Sequence, residues 1–347
     1  TAAFLADFLR KLGYDVTENV GGTTALTAVL DSGKPGPTVA VRTHMDCLLF
    51  KNEDGSLEAI HACGHDAHMT IALGVAKLLK EQGLACGRIK LLCQPAEEIG
   101  RGALAMLEAG ALDDVQYALG YHVMPKDMAR SGQIIAQINW TACTLMEGEI
   151  RGLAAHGSQP HLGVNAIDAG AAIVNAINAL HSNPLLGGSI KTTRFMGGAG
   201  SLNAICDKVS IGFDLRSTSN AEMLELRRKV EEVVVNTAKV YGAEADCHIV
   251  GTCPAAEADP SLLALTQEVI SAELGAGGLI HAANITVGED FNFFKQERPQ
   301  LKTASLGIGC DLEPRLHDRD MHFDHSALAN AINVLTNLTQ RILCVKP

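Results

Sequence analysis

HACGHDAHMTIALGVAKLLKEQGLACGRIKLLCQPAEE, residues 61–98, is the stretch from which the rest of the chain can be read. Apolar residues at Met69, Ala72, Val75, Ala76 and Leu79 recur at helical spacing, so residues 68–83 read as an amphipathic helix ending at Gly83. GRIKLLCQP (87–95) follows as a buried strand. Upstream, TVAVRTHMD (38–46) is another buried strand, and residues 1–13 form a helix ended by Gly13. Downstream, GALAMLEAGAL (102–112) is a helix and YALGYHV (117–123) a strand. Alternation of this kind predicts an α/β fold: a mostly parallel sheet with helices on both faces.

The middle of the chain has a different order. TLMEGEIRGL (144–153) reads as a strand, NAIDAGAAIVNAINAL (165–180) as a helix and KVSIGFDLRS (208–217) as an alternating strand. A long amphipathic helix over 221–242 and a strand over 243–250 complete a βαββαβ-like α+β module. This predicts a separate α+β module at 142–251, with TCPAAEADP (252–260) as the returning linker. The first domain would then comprise 1–141 and 252–347. Its last part holds a helix at 262–274, a loop at 285–294, a strand at 301–309 and a terminal helix at 326–343.

Composition narrows the function classes. At 347 residues and 47% hydrophobic, the chain can bury two cores. Lys plus Arg total 28 against 39 for Asp plus Glu, a net charge of -11. That disfavours nucleic acid and anionic membrane, which are bound through surplus Lys and Arg. No apolar run reaches the roughly 20 residues that span a bilayer. The ten cysteines form no CxxC pair and lie scattered in apolar runs, the pattern of reduced thiols in a cytoplasmic protein. The chain opens at Thr1 rather than Met, and some N-terminal residues are expected to be missing.

Chemistry gathers at four predicted strand ends: His44 and Asp46; the run His61, Cys63, His65, Asp66 and His68; Glu97 and Glu98; and His122. In open α/β sheets, sites form at the carboxyl edge of the strands. Imidazole, thiolate and carboxylate are the ligands of divalent transition metals. Taken singly, each group has a plainer reading. Glu97 and Glu98 could be a solvated helix start, favoured there by the macrodipole, and His122 a satisfied core histidine. Arg216 could simply pair with Asp214 on its strand, and His156 could be a surface loop histidine. A cysteine nucleophile at Cys47 lacks an evident histidine partner. A dehydrogenase reading lacks a GxGxxG after the first strand. MGGAGS (196–201) lacks the Lys-Ser/Thr ending of a phosphate loop and reads as a turn.

AVRTHMDCL (40–48), HACGHDAHMTIALG (61–74), QPAEEIGRGAL (94–104), LGYHVMP (119–125), AHGSQPHLGVNAID (155–168), GEDF (288–291) and LGIGCDLEPRLH (306–317) together resemble the metallo-aminoacylase and carboxypeptidase-G-like peptidase family. The likeness is greatest to its amidohydrolase subfamily, with hippurate, indole-acetyl-amino-acid and aminobenzoyl-glutamate hydrolases. The resemblance implies that 142–251 is a lid and dimerisation domain inserted in a catalytic domain formed by 1–141 and 252–347, with two divalent metal ions per subunit, manganese or zinc with cobalt a third option. It implies Cys63, His65, Glu98, His122 and His317 as metal ligands and Glu97 as general base. It also implies a lid histidine, His156, reaching the substrate across a homodimer or higher oligomer, and Asn203 and Arg216 holding a small carboxylate-bearing substrate. Asp46 and Asp66 would orient ligand imidazoles.

Two departures stand out. His44 occupies a position that is not a ligand in this subfamily but is one in the wider family, and it is read here as a non-ligand. Asp318-Arg319 follows His317 where relatives carry Asn-Pro or His-Pro, and His322 and His325 are close enough in sequence to compete as the last ligand.

The expected activity is therefore metal-dependent hydrolysis of the amide of an N-acyl or N-aroyl amino acid. Two alternatives stay open: hydrolytic deamination of a carboxylated aromatic amine on the same site, and a catalytically silent metal-binding protein.

Overall fold

The structure, a computed structural model, describes residues 1–184 and 186–344. It opens with α1 (Ala2–Lys11), β1 (Asp15–Val20), β2 (Ala25–Asp31), β3 (Thr38–His44), β4 (Leu48–Lys51) and β5 (Leu57–Ile60). There follow α2 (His65–Gln82), β6 (Arg88–Gln94), α3 (Gly102–Glu108), β7 (Tyr117–Pro125), β8 (Ile134–Ile135) and β9 (Ile138–Trp140). The middle comprises β10 (Ala142–Arg151), α4 (Ala166–Asn178), β11 (Gly188–Gly197), β12 (Lys208–Ser217), α5 (Asn220–Val240) and β13 (Glu244–Cys253). The chain ends with α6 (Pro260–Leu274), β14 (Leu279–Ile280), β15 (Ala283–Ile285), α7 (Asn292–Glu297), β16 (Lys302–Leu312) and α8 (Leu328–Leu343).

These elements form two compact units. The larger comprises residues 1–139, 257–284 and the chain from Asp290 onward; the smaller comprises Trp140–Ala256 with Ile285–Glu289.

The larger unit is built on a sheet in the order β1-β2-β6-β3-β7-β16-β8-β14. Its centre, β6-β3-β7-β16, is parallel. β3 is buried at every position, as a central parallel strand must be when helices cover both faces. On one face, Val39, Val41, Ile89, Leu91, Leu119, Leu306 and Ile308 pack with Leu5 and Leu9 of α1, Val75 and Leu79 of α2 and Val334 and Leu338 of α8. On the other, Gly120 admits the ring of Phe291, which a Cβ there would meet at 3.1 Å. Helices α3 and α7 pack together.

The hairpin β1-β2 is antiparallel and escapes the period-two reading because β1, DVTENV, is half-exposed or exposed throughout. The loop expected over 285–294 gives way to α7 at Asn292. Helix α2 begins at His65, three residues before the start that its apolar spacing indicates.

The smaller unit has the antiparallel order β11-β12-β10-β13, and β10-α4-β11-β12-α5-β13 is the βαββαβ order of a split βαβ module. Val209, Ile211, Phe213 and Leu215 of β12 and Met146 and Ile150 of β10 face Ile173 and Ile177 of α4 and Leu226, Val230 and Val234 of α5. Alternate residues, among them Cys143, Asp214 and Arg216, stand on the opposite face of the sheet. Asn165 and Ser219 cap α4 and α5 by accepting hydrogen bonds from the first-turn amides of Ile167 and Glu222.

One polar network is built into the larger core. Arg42, 1% exposed, donates to Gln94 Oε1 at 2.9 Å and pairs with Asp290. Asp290 also accepts from Gln94 Nε2 and from the Ala103 amide. Removing one partner of such a buried pair strands a charge. Asp290→Ala is expected to lower stability by about 3–5 kcal/mol, read from chemical unfolding followed by circular dichroism. A wild-type midpoint would show that the network contributes little.

Candidate metal centre

Four segments converge at the carboxyl edge of the parallel strands. β3 delivers His44 and then Asp46. The turn before α2 delivers Cys63 and His65. The segment after β6 delivers Glu97 and Glu98, and β7 carries His122. The segment after β16 brings His317, whose backbone has φ 63 and whose amide donates to Ala62 O at 2.6 Å. Gly64 has φ 76, and a Cβ there would stand 2.3 Å from Val123 Cγ2, so only glycine lets α2 start in this place.

Asp46 ties the segments together. Its carbonyl accepts from His61 Nδ1 and His65 Nδ1, each at 3.0 Å, and its carboxylate accepts from the Glu98 amide at 3.0 Å. Burial opposes ionisation of Asp46, but hydrogen bonds from His65 and the Glu98 amide hold its carboxyl below the usual value.

The imidazoles of His44, His65, His68 and His122 have centroids between 4.5 and 6.2 Å apart. Their tautomers follow from fixed backbone groups. The Val123 amide donates to His68 Nε2 at 3.0 Å, so the proton of neutral His68 sits on Nδ1. That nitrogen lies 3.1 Å from His44 Nδ1, which must accept, leaving the His44 proton on Nε2. His44 thus keeps its proton on Nε2, and both nitrogens of His68 are engaged, although the four rings are close enough to surround a cation. His122 Nδ1 donates to Val123 O at 2.7 Å and His65 Nδ1 to Asp46 O, so both present a lone pair on Nε2.

Those lone pairs face a thiol and carboxylates. Cys63 Sγ lies 3.5 Å from His122 Nε2 and 3.3 Å from His317 Nε2. His317 Nε2 lies 3.5 Å from Glu98 Oε2, and His65 Nε2 lies 3.9 Å from Glu97 Oε2 and from Glu98 Oε1. Ligand atoms of Cys63, His65 and Glu98 all fall within 4.8 Å of one another. His65 Nε2 and Glu98 Oε1 are buried with no hydrogen-bond partner. Such orphaned atoms cost about 1–3 kcal/mol each, and a divalent cation coordinated by them would remove that cost. The donor set therefore fits a transition metal.

Of the three C-terminal histidines, His317 reaches Cys63 and Glu98, whereas His322 bonds Asp320 O and His325 packs on Phe323. Asp66 is exposed on the first turn of α2, where its carbonyl accepts from Thr70; the acid that contacts an imidazole is Asp46. His61 and His68, given no role by the family resemblance, bond to Asp46 O and to the Val123 amide. The sequence signal for His68 is its i, i+3 spacing from His65, which puts both on one helix face.

In the smaller unit, His156 Nδ1 accepts from the Ser158 amide at 3.1 Å, leaving its Nε2 protonated and exposed. Gly157 N donates to Asn203 O at 2.7 Å, so His156 and Asn203 belong to one loop cluster. Arg216 is paired with Asp214 through Nε at 2.7 Å and a second nitrogen at 3.0 Å, and also donates to Thr286 O.

His44 and His68 have pKa values well below the ordinary histidine value, chiefly because burial disfavours their cations, with the Arg42 charge and neighbouring imidazoles adding to this. A depressed pKa means that the unfolded chain binds the extra proton. Stability is therefore present above about pH 6.5 and is lost on acidification, by about 1.4 kcal/mol per pH unit for each imidazole. The chelator-treated protein should show a falling urea midpoint from pH 7 to 5.5. A His44→Asn/His68→Gln double variant should show a shallower slope; an unchanged slope would assign the acid sensitivity elsewhere.

A family model described as Peptidase family M20/M25/M40 matches residues 40–341. One component of the Escherichia coli p-aminobenzoyl-glutamate hydrolase is 30% identical over 91% of this chain and 76% of its own length. The indole-3-acetyl-aspartic acid hydrolase of Enterobacter agglomerans is 29% identical over the same shares, 91% and 76%. The crystal structure of a Bacillus subtilis dinuclear metal binding peptidase from the M20 family superposes with a TM-score of 0.83 at 23% identity, covering 99% of this chain and 91% of that one. By the match of its motif-bearing length, the chain belongs to peptidase family M20/M25/M40 and is a hydrolase.

Proposed function

We propose that this protein hydrolyses the amide bond of an N-acyl or N-aroyl amino acid at a dinuclear divalent-metal site. The observation that carries the reading is the cluster in which two buried atoms without partners, His65 Nε2 and Glu98 Oε1, stand among Cys63, His122, His317 and Glu97. Cys63, His65, Glu98, His122 and His317 would hold the metals, with zinc favoured by the Cys63 thiolate and manganese or cobalt accepted by the nitrogen and oxygen donors. When bound, such ions polarise a carbonyl and acidify a water.

The chain's own groups do the rest. Glu97 takes a proton from the attacking water and returns it to the leaving amine, which needs a carboxylate beside the cluster but outside the ligand set. Asp46 holds His65 with Nε2 turned inward. His44 presents Nε2–H as a fixed donor. His156, with its proton held on Nε2, has the form needed to stabilise a developing oxyanion in the site of a second copy of the chain. Asn203 and Arg216 bind the substrate, Arg216 through its carboxylate, for which the guanidinium must exchange its bond to Asp214.

Support for the substrate class comes from the relatives' names, p-aminobenzoyl-glutamate hydrolase and indole-3-acetyl-aspartic acid hydrolase, each an acyl group joined to an acidic amino acid. The description of the Bacillus subtilis neighbour as a dinuclear metal binding peptidase supports two metals. The smaller unit serves as the lid in this reading. Its exposed edge strand β11 and long helix α5 suit lid-to-lid dimerisation. Scattered cysteines agree with a cytoplasmic enzyme.

Exhaustive chelation should abolish hydrolysis of hippurate or indole-acetyl amino acids, and added zinc or manganese should restore it. Glu97→Gln should retain the metal content measured by elemental analysis yet lose about a hundredfold to ten-thousandfold in kcat. Undiminished kcat in Glu97→Gln would sink the proposed mechanism. Light scattering should give at least a dimer, and a strict monomer would remove the role of His156 in a second copy's site.

A further inference from the structure

On the sheet face of the smaller unit that points away from α4 and α5, two cysteines meet. β10 and β13 run antiparallel with Cys143 directly opposite Cys253, and on the other side of β10 the register sets Arg216 of β12 opposite Cys143. Directly opposed residues in an antiparallel pair share a face and have Cα atoms about 4.5–5.5 Å apart. That spacing lies inside the roughly 4.4–6.8 Å that a disulfide requires. A single point beside Gly288, where its Cβ would be, lies 2.9 Å from Cys143 Sγ and 3.6 Å from Cys253 Sγ. Neither cysteine is fully buried, and neither is in a disulfide.

We propose that Cys143 and Cys253 form a dithiol modification site that exchanges with low-molecular-weight disulfides, Cys143 being the attacking sulfur and Cys253 the resolving one. The environment separates the two roles. A hydrogen bond from Cys253, together with the Arg216 guanidinium, pulls the Cys143 thiol well below its usual value despite partial burial. Other cysteines move the opposite way: burial pushes Cys93, Cys247 and Cys310 up to about 12.

The exchange balances without any further reagent. The Cys143 thiolate attacks one sulfur of a disulfide RSSR, forming Cys143–S–SR and releasing RS⁻, which takes up a proton. Cys253 then gives its proton to solvent and attacks the Cys143 sulfur, forming the Cys143–Cys253 bond and releasing the second RS⁻. Two protein thiols are oxidised and one RSSR is reduced to two RSH. The product removes the thiolate charge beside Arg216. This site stands independently of the hydrolase reading, because its test reads sulfur chemistry and not turnover.

The full chain is incubated with oxidised glutathione under native conditions, quenched in acid and mapped by mass spectrometry. The expected product of the unaltered protein has lost two hydrogens, with the bridge mapped to Cys143 and Cys253. Cys253→Ser should instead accumulate glutathione on Cys143, whereas Cys143→Ser should modify Cys253 at least about tenfold more slowly. Two results overturn the proposal: Cys143 and Cys253 remaining thiols while Cys47 or Cys344 is modified, or equal adduct rates in the two single variants. The mapping of the unaltered protein decides the matter even if a variant does not fold.

Discussion

Asp46 is the residue on which the arrangement of the candidate metal centre depends. Its carbonyl oxygen accepts hydrogen bonds from two imidazoles and its carboxylate accepts one from the amide of Glu98, so a single residue beyond β3 fixes groups from two other segments. A cluster of lone pairs and carboxylates has no attraction of its own; without cations its members repel. Hydrogen bonds made behind the cluster must therefore hold it open, and a half-buried carboxylate that can only accept is suited to that task. The same bonds choose the tautomer of His65 and so aim its free lone pair inward.

A second layer of constraint lies beneath. Arg42, Gln94 and Asp290 form a closed, buried hydrogen-bonded set joining β3, β6 and the segment before α7, with the first turn of α3 attached through the Ala103 amide. Gln94 immediately precedes the turn that carries Glu97 and Glu98. That turn contains Ala96 at φ 59, as His317 sits at φ 63, conformations that non-glycine residues adopt only when the surroundings compel them. Strain thus falls on or beside the groups presented to the cluster, while the parallel strands that carry them are regular and wholly buried.

The smaller unit follows a different rule. Its antiparallel sheet buries one face under two helices and leaves the other for polar and sulfur chemistry, the usual outcome when only one side is covered. Arg216, Cys143 and Cys253 stand in one row across that open face because register places them there. The pairing of Arg216 with Asp214 means that the guanidinium is oriented before any ligand arrives, and that a ligand carboxylate competes with a resident one.

Local patterns in the sequence determined the α/β class, the βαββαβ order of the middle and the residue types gathered at the strand ends. These are short-range properties: apolar period, helix stops and the density of His, Cys and Glu in HACGHDAH and QPAEE are all visible within a dozen residues. Tertiary structure alone decided the rest. It left Asp66 on the surface and gave Asp46 the contact to His65, kept the proton of His44 on Nε2 by way of the Val123 amide and His68, brought His317 rather than His322 or His325 beside Cys63 and Glu98, and set Cys143 against Cys253. Each of these depends on which strands become neighbours and in what register, a choice made by packing of the whole core that no single segment encodes.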